Sequence, residues 1–234
     1  MNPTNKQEPE GLSNDEGMLD VVKVYPTIQG EGPYSGLPAV FVRLAGCNLQ
    51  CPLCDTQYTK GRKLKTIDEI ELSVLRICQD RRIRLVVVTG GEPFRQSGTF
   101  YLMDRLIGKG ITCQVETNGT LYQQTQATIV CSPKCFTLNK SLTQALIDSD
   151  DHCLKYVLDA DNVELSDGLP SSVLGQPTPP ARPPLGFPTE RIYLQPADVG
   201  DPFMNSRHVE AVVQSCTKFG YRLCIQTHKI AGLP

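Results

Sequence analysis

The run Leu85-Val86-Val87-Val88-Thr89 constrains the fold more than any other part of the chain. β-Branched side chains fit a pleated surface well, so the run reads as a strand. It shows no polar alternation. A strand without alternation is covered on both faces, as in parallel sheets flanked by helices. Residues 19–25, 39–44, 112–116, 128–131, 152–157, 191–194 and 222–227 are further short strand candidates. Residues 67–78 place Ile67, Ile70, Leu72, Val74, Leu75 and Cys78 in a helical pattern, with Thr66 and Glu69 set as a capping box. Residues 99–108 and 207–219 are the next helices. This alternation predicts an α/β domain built on a mainly parallel sheet. Periodicity leaves open whether that sheet closes.

The chain has 234 residues, which suits one domain with appendages. Hydrophobic residues make up 40%, enough for a sizeable core. Twenty-three basic against 25 acidic residues give a net charge of −2, too little positive charge for a nucleic-acid surface. No apolar run approaches the ~18–20 residues of a membrane helix. Residues 1–17 are polar and acidic and read as a flexible tail rather than a secretory signal. Residues 168–188 are rich in proline, which excludes a helix or central strand there and suggests an inserted surface loop. The folded domain is expected over 18–234. Ten cysteines in a chain of this size, with no sign of secretion, point to a reduced, cytoplasmic setting and to metal or catalysis rather than disulfides.

Cys47, Cys51 and Cys54 follow the second strand candidate in a turn-rich loop, with three and then two residues between them. Soft thiolates select zinc or iron–sulfur clusters. Two readings stand: a [4Fe–4S] cluster with one iron open to a small molecule, or a zinc site completed by a distant Cys or His. Gly90-Gly91-Glu92-Pro93 ends the valine-rich strand. Two glycines let backbone approach a ligand closely, and their amides could bind the polar end of an amino acid. An ordinary strand-to-helix turn has the same composition. Cys131 and Cys135 lack a third thiol, and Cys78, Cys113, Cys153, Cys216 and Cys224 sit in apolar patterns as small hydrophobes.

Together the three-cysteine loop and the Gly-Gly-Glu-Pro turn resemble the radical S-adenosylmethionine (SAM) superfamily. Residues 25–234 resemble one of its families, the 7-carboxy-7-deazaguanine synthases. That likeness is carried by Tyr25-Pro26-Thr27-Ile28-Gln29-Gly30-Glu31-Gly32, Phe41-Val42-Arg43-Leu44-Ala45-Gly46, Val115-Glu116-Thr117-Asn118-Gly119, Ser132-Pro133-Lys134, Leu194-Gln195-Pro196-Ala197-Asp198 and 226–234. The tail and the Pro-rich stretch look like additions to the family pattern.

The resemblance implies a partial, TIM-like (β/α) barrel with reduced helices and its site at the C-terminal ends of the strands. It implies a [4Fe–4S] cluster on Cys47, Cys51 and Cys54. It implies SAM contacts from Leu53, Asp55, Gly91, Glu116, Ser132, Pro133, Lys134, Gln195, Pro196, Ala197 and Asp198, and Mg2+ beside Thr56. Substrate contacts would come from Ile28, Gln29, Gly30, Arg43, Thr89, His228 and the terminal carboxylate of Pro234. No side chain is expected to react, because the radical arises on SAM. The implied reaction contracts 6-carboxy-5,6,7,8-tetrahydropterin to 7-carboxy-7-deazaguanine with loss of ammonia, in a homodimer served by flavodoxin or ferredoxin. A glycyl-radical activase and a zinc-bound structural module are the competing readings.

Overall fold

The computed structural model describes residues 5–233. Its strands are β1 (Met18–Ile28), β2 (Pro38–Leu44), β3 (Lys63–Thr66), β4 (Leu85–Gly90), β5 (Thr112–Thr117), β6 (Thr128–Cys131), β7 (Cys153–Leu158), β8 (Ile192–Pro196) and β9 (Arg222–Leu223). The helices are α1 (Ile67–Arg81), α2 (Gly98–Gly108), α3 (Lys140–Asp148), α4 (Pro202–Phe219) and α5 (Thr227–Ile230). One sheet contains every strand, in the order β3-β1-β2-β4-β5-β6-β7-β8-β9. From β2 to β9 all neighbours are parallel, whereas β1 runs antiparallel to both β2 and β3. The sheet is open, with β3 and β9 at its edges. This is the α/β architecture on a mainly parallel sheet that periodicity predicts, and its open sheet is consistent with the partial barrel that the resemblance implies.

The valine-rich run is the sheet's interior strand β4, and its side chains go alternately to two different environments. Val42, Leu44, Val86, Val88 and Val115 join the main core under the helices, where they meet Ile70, Val74, Leu102 and Leu142. Each such side chain is fully buried and contributes roughly 1.5–3 kcal/mol through the water it sheds. On the opposite face Ala39, Phe41, Leu85 and Val87 form a smaller apolar cluster. Further along the same face, at the C-terminal strand ends, the side chains turn polar. Arg43 stands in register with Thr89 there.

The start of α1 follows the expected capping box. Thr66 Oγ1 accepts from the Glu69 amide at 3.2 Å, and Glu69 Oε2 accepts from the Thr66 amide at 2.8 Å. Other elements depart from expectation. The stretch 222–227 forms only the two-residue β9, because the chain turns after Cys224 and enters α5 at Thr227. Residues 5–17, read as a flexible tail, are tied to the rest of the chain, 5–10 along the thiol loop and 11–17 along Arg95, Ser97 and the start of α1. The Asn5 amide donates to Pro52 O at 2.9 Å and the Glu10 amide to Cys47 O at 2.7 Å. Residues 1–4 lie outside the described residues. The Pro-rich stretch has no helix or long strand, yet it is more than a surface loop. Leu169, Val173 and Ala181 are buried, and Tyr156 Oη donates to Ala181 O at 2.8 Å.

Candidate active site

The C-terminal strand ends enclose a cavity of about 700 Å³. Cys47, Cys51 and Cys54 all line it, on the loop that leaves β2. That loop is tied down at its root. Ala45 N donates to Asp20 O at 2.8 Å, Gly46 N to Tyr58 O at 3.0 Å, and Gln96 Nε2 to Ala45 O at 3.1 Å. Gly46 has φ +75°, and a Cβ there would strike Arg95 Nη2 at 2.6 Å. Only glycine serves at that position.

Burial pushes all three thiols up, Cys47 to about 11, so each is reluctant to ionise without a cation beside it. Coordinated iron or zinc reverses this preference outright. N–H donors already point at two of the sulfurs. Leu49 N lies 3.4 Å from Cys47 Sγ, Asn118 Nδ2 lies 3.8 Å from it, and Gln176 Nε2 lies 2.9 Å from Cys51 Sγ. Among the described residues, no three His, Cys, Asp or Glu side chains converge on one point as a single ion requires. A structural zinc site needs four such ligands. Three thiols on the wall of one cavity, two of them with N–H donors at hand, are a donor set that fits a [4Fe–4S] cluster, which Cys47, Cys51 and Cys54 would hold.

Gly90 and Gly91 are explained by how close the thiol loop comes. A Cβ on Gly90 would lie 2.1 Å from Leu44 O, and one on Gly91 would lie 1.9 Å from Gly46 O. Gly91 lines the cavity as expected, but its amide donates to Leu44 O at 3.3 Å and Glu92 N donates to Gly46 O at 3.0 Å. These amides lock the thiol loop to β4, where the sequence suggested they were available to a ligand. The Glu92 carboxylate is fully buried, and that burial raises its pKa to about 7. It accepts from Asn118 N at 2.7 Å, Thr117 Oγ1 at 2.9 Å and Phe94 N at 3.0 Å, which joins β4 to the end of β5.

The polar face supplies the rest of the wall. Glu116 accepts from Thr89 Oγ1 at 2.8 Å and Gln29 Nε2 at 3.1 Å, and Arg43 Nη2 donates to Tyr25 Oη at 2.8 Å. Lys134 Nζ donates to Ser132 Oγ at 2.5 Å and Ser132 O at 3.1 Å. Both partners are neutral, and burial lowers the lysine's pKa. Gln195 Oε1 and His228 Nδ1 are buried with no hydrogen-bond partner among the described residues, and both residues line the cavity. Burial also lowers the His228 pKa, against the pull of Glu31. Asp198 and Asp55 share Lys229, at 2.9 and 3.6 Å, and Thr56 Oγ1 donates to Asp55 Oδ1 at 3.2 Å.

Leu53 and Ala197 also line the cavity, together with all of the residues just named from the sequence reading. Ile28, Gly30, Pro133 and Pro196 do not line it. Gly30 instead leaves room for His228, whose Nδ1 a Cβ would meet at 1.9 Å. Pro234 lies outside the described residues. Sequence reading missed a buried ion pair in the same wall. Lys155 bonds Glu31, and Gln226 Nε2 donates to the other Glu31 oxygen at 2.5 Å. Burial opposes both charges, but each holds the other ionised, raising the lysine's pKa and lowering the carboxylate's. The signal was a lysine inside the otherwise apolar Cys153-Leu154-Lys155-Tyr156. A charge on a buried strand requires a partner.

Comparison with known proteins bears on the same residues. Residues 42–131 match the radical SAM superfamily. The chain is 38% identical to 7-carboxy-7-deazaguanine synthase of Rhodospirillum rubrum, over 98% of this chain and 97% of that one. It is 35% identical to the protein of the same name from Rickettsia prowazekii, over 95% and 92% of the two chains. The crystal structure of QueE from Escherichia coli shares the fold, with a TM-score of 0.63 at 24% identity, over 89% of this chain and 94% of that one. With the thiol loop and the turn of β4 both inside the matched region, the chain belongs to the 7-carboxy-7-deazaguanine synthase family of the radical SAM superfamily.

Proposed function

We propose that this protein is a carbon–nitrogen lyase that converts 6-carboxy-5,6,7,8-tetrahydropterin to 7-carboxy-7-deazaguanine with loss of ammonia, a step toward 7-deazapurines such as queuosine. The observation that carries this reading is the shared cavity. The three thiols and the polar strand ends of a member of this family open into one space of about 700 Å³, within the range of ligand pockets.

Cys47, Cys51 and Cys54 hold the cluster. Bound there, the cluster would supply the one electron needed to cleave SAM for hydrogen-atom abstraction. The chain's residues position and shield. Lys134 offers a charge to an entering carboxylate, since its own partners are neutral. Leu53, Asp55, Ser132, Gln195, Ala197 and Asp198 line the SAM side. On the pterin side, Arg43 offers a planar guanidinium to the substrate carboxylate. Glu116 accepts from ring N–H groups, Thr89 and Gln29 hold that carboxylate in place, and the His228 ring lines the same space. Thr56 would be the one neutral protein ligand to a Mg2+ ion, a hard cation that would take its remaining oxygen ligands from outside the chain. A flavodoxin or ferredoxin delivers the electron, and the enzyme works as a homodimer.

Anaerobic incubation with SAM, dithionite and the carboxylated pterin tests the reading. Mass analysis is expected to find a product that has lost ammonia, formed faster with Mg2+ than with a chelator. Protein carrying four irons that leaves the pterin intact would overturn the substrate assignment. Stoichiometric zinc without iron would overturn the chemistry altogether.

A further inference from the structure

The Pro-rich stretch reaches the thiol loop through one tight turn. Val173 is buried and anchors it, and the Gln176 amide donates back to Val173 O at 2.9 Å. The two central residues, Leu174 and Gly175, have φ +48° and +78°. A leucine in the left-handed region costs roughly 1–2 kcal/mol and persists only where its surroundings impose it. Here the surroundings are the thiol loop. Leu53 N donates to Leu174 O at 3.0 Å, and Gly175 lies so close that a Cβ would come within 3.3 Å of Pro52 and 3.2 Å of Leu53. The same turn delivers the Gln176 side chain, whose Nε2 stands 2.9 Å from Cys51 Sγ.

We propose that Gln176 is a positioning residue for the iron–sulfur cluster: it donates an N–H···S hydrogen bond to the Cys51 thiolate and thereby eases reduction of the cluster. This rests on the function proposed above. Reduction adds one electron, supplied from outside the protein, and some of the added negative charge spreads onto the cysteine sulfurs. A donor aimed at a sulfur stabilises that charge more in the reduced state than in the oxidised one, which raises the reduction potential. An inserted segment outside the sheet thus sets a property of the cofactor.

The test compares the unaltered protein with Gln176→Leu and Gln176→Glu, both of similar length to glutamine, after anaerobic reconstitution. Iron content and melting temperature are measured first, followed by an EPR-monitored redox titration. All three proteins are expected to hold about four irons and melt alike. At a fixed potential near the midpoint, the ratio of reduced to oxidised cluster is expected to fall at least threefold in Gln176→Leu. It should fall further in Gln176→Glu, where an acceptor replaces the donor. Faster loss of iron to a chelator from Gln176→Leu, at unchanged melting temperature, would support the same contact. Unchanged reduced-to-oxidised ratios in both variants, on intact clusters, would overturn the role of Gln176 and leave the function standing. Absence of iron from the unaltered protein would overturn both.

Discussion

Replacing Gly91 with alanine adds one methyl group at the point where β4 meets the thiol loop. That methyl would lie 1.9 Å from the Gly46 carbonyl oxygen, 2.4 Å from its carbon and 2.9 Å from the Cys47 nitrogen. Side-chain Cβ atoms keep at least 3.0 Å, so the loop must retreat by about 1.1 Å. The obstacle is backbone on every side and cannot rotate away. Overpacking of this kind costs about 1–3 kcal/mol. The retreat also stretches the Glu92 N to Gly46 O and Gly91 N to Leu44 O bonds, each worth about 1 kcal/mol net. The sum is about 3–5 kcal/mol, or about 6–20 °C in melting temperature for a chain of this size. Because Cys47 moves with Gly46, iron uptake on anaerobic reconstitution should fall as well. Gly108→Ala is the control. It ends α2 with nothing within 4 Å of a new Cβ, and it should be neutral or stabilising by up to about 1 kcal/mol. Gly91→Ala that melts within about 2 °C of the parent and takes up full iron would refute the reasoning.

Lys155→Met should destabilise the protein by about 3–5 kcal/mol in urea unfolding, since it leaves the buried Glu31 charge unpaired. The double variant Glu31→Leu, Lys155→Met should recover most of that loss; a double variant no better than the single one would contradict the pairing. Arg43→Lys should lower kcat/KM for the pterin by about 10- to 150-fold, the cost of losing a charge-assisted hydrogen bond, with iron content unchanged. The Asp198 carboxyl is held down to about 2 by Lys229, Asn205 and the Gly200 amide. A lowered folded pKa contributes stability above the ordinary carboxyl value, and that stability is lost as pH falls toward 2. Asp198→Asn should therefore lower the melting temperature in the neutral region and converge with the parent as pH falls from 4 toward 2, which flattens the acid limb.

The parts legible in the sequence are those where local pattern and burial agree. β4 reads as buried because both of its faces are covered, and α1 because its cap and apolar stripe coincide. Lys63–Thr66 escaped because Lys-Leu-Lys-Thr has no strand signature of its own; it is a strand only by pairing with β1 at the sheet edge. Within the site, the thiols were legible from spacing, whereas the Glu31–Lys155 pair joins residues 124 apart and has no local trace beyond a misplaced charge. The order in residues 5–13 is of the same kind. Gln7 Nε2 donates to Thr56 O at 2.9 Å and Gln7 Oε1 accepts from Tyr58 N at 2.8 Å, contacts that a polar segment forms only once the thiol loop exists.

Those late contacts explain why the thiol loop can be so irregular. Its own sequence has two glycines and a proline among 46–61, and it forms neither helix nor strand there. It is instead held from three directions: by β4 through the close approach at Gly91, by residues 5–13 through Pro52, Thr56 and Tyr58, and by the turn at Leu174 and Gly175 through Leu53. A helix or strand in its place would satisfy its own backbone but would carry the three thiols at fixed intervals of rise and rotation. A loop fixed from outside can place each sulfur independently on the cavity wall, and the placement then depends on segments distant in sequence. Changes in those segments should therefore act on the cluster before they act on the core, with iron affinity and reduction potential moving while the helix-covered face of the sheet keeps its stability.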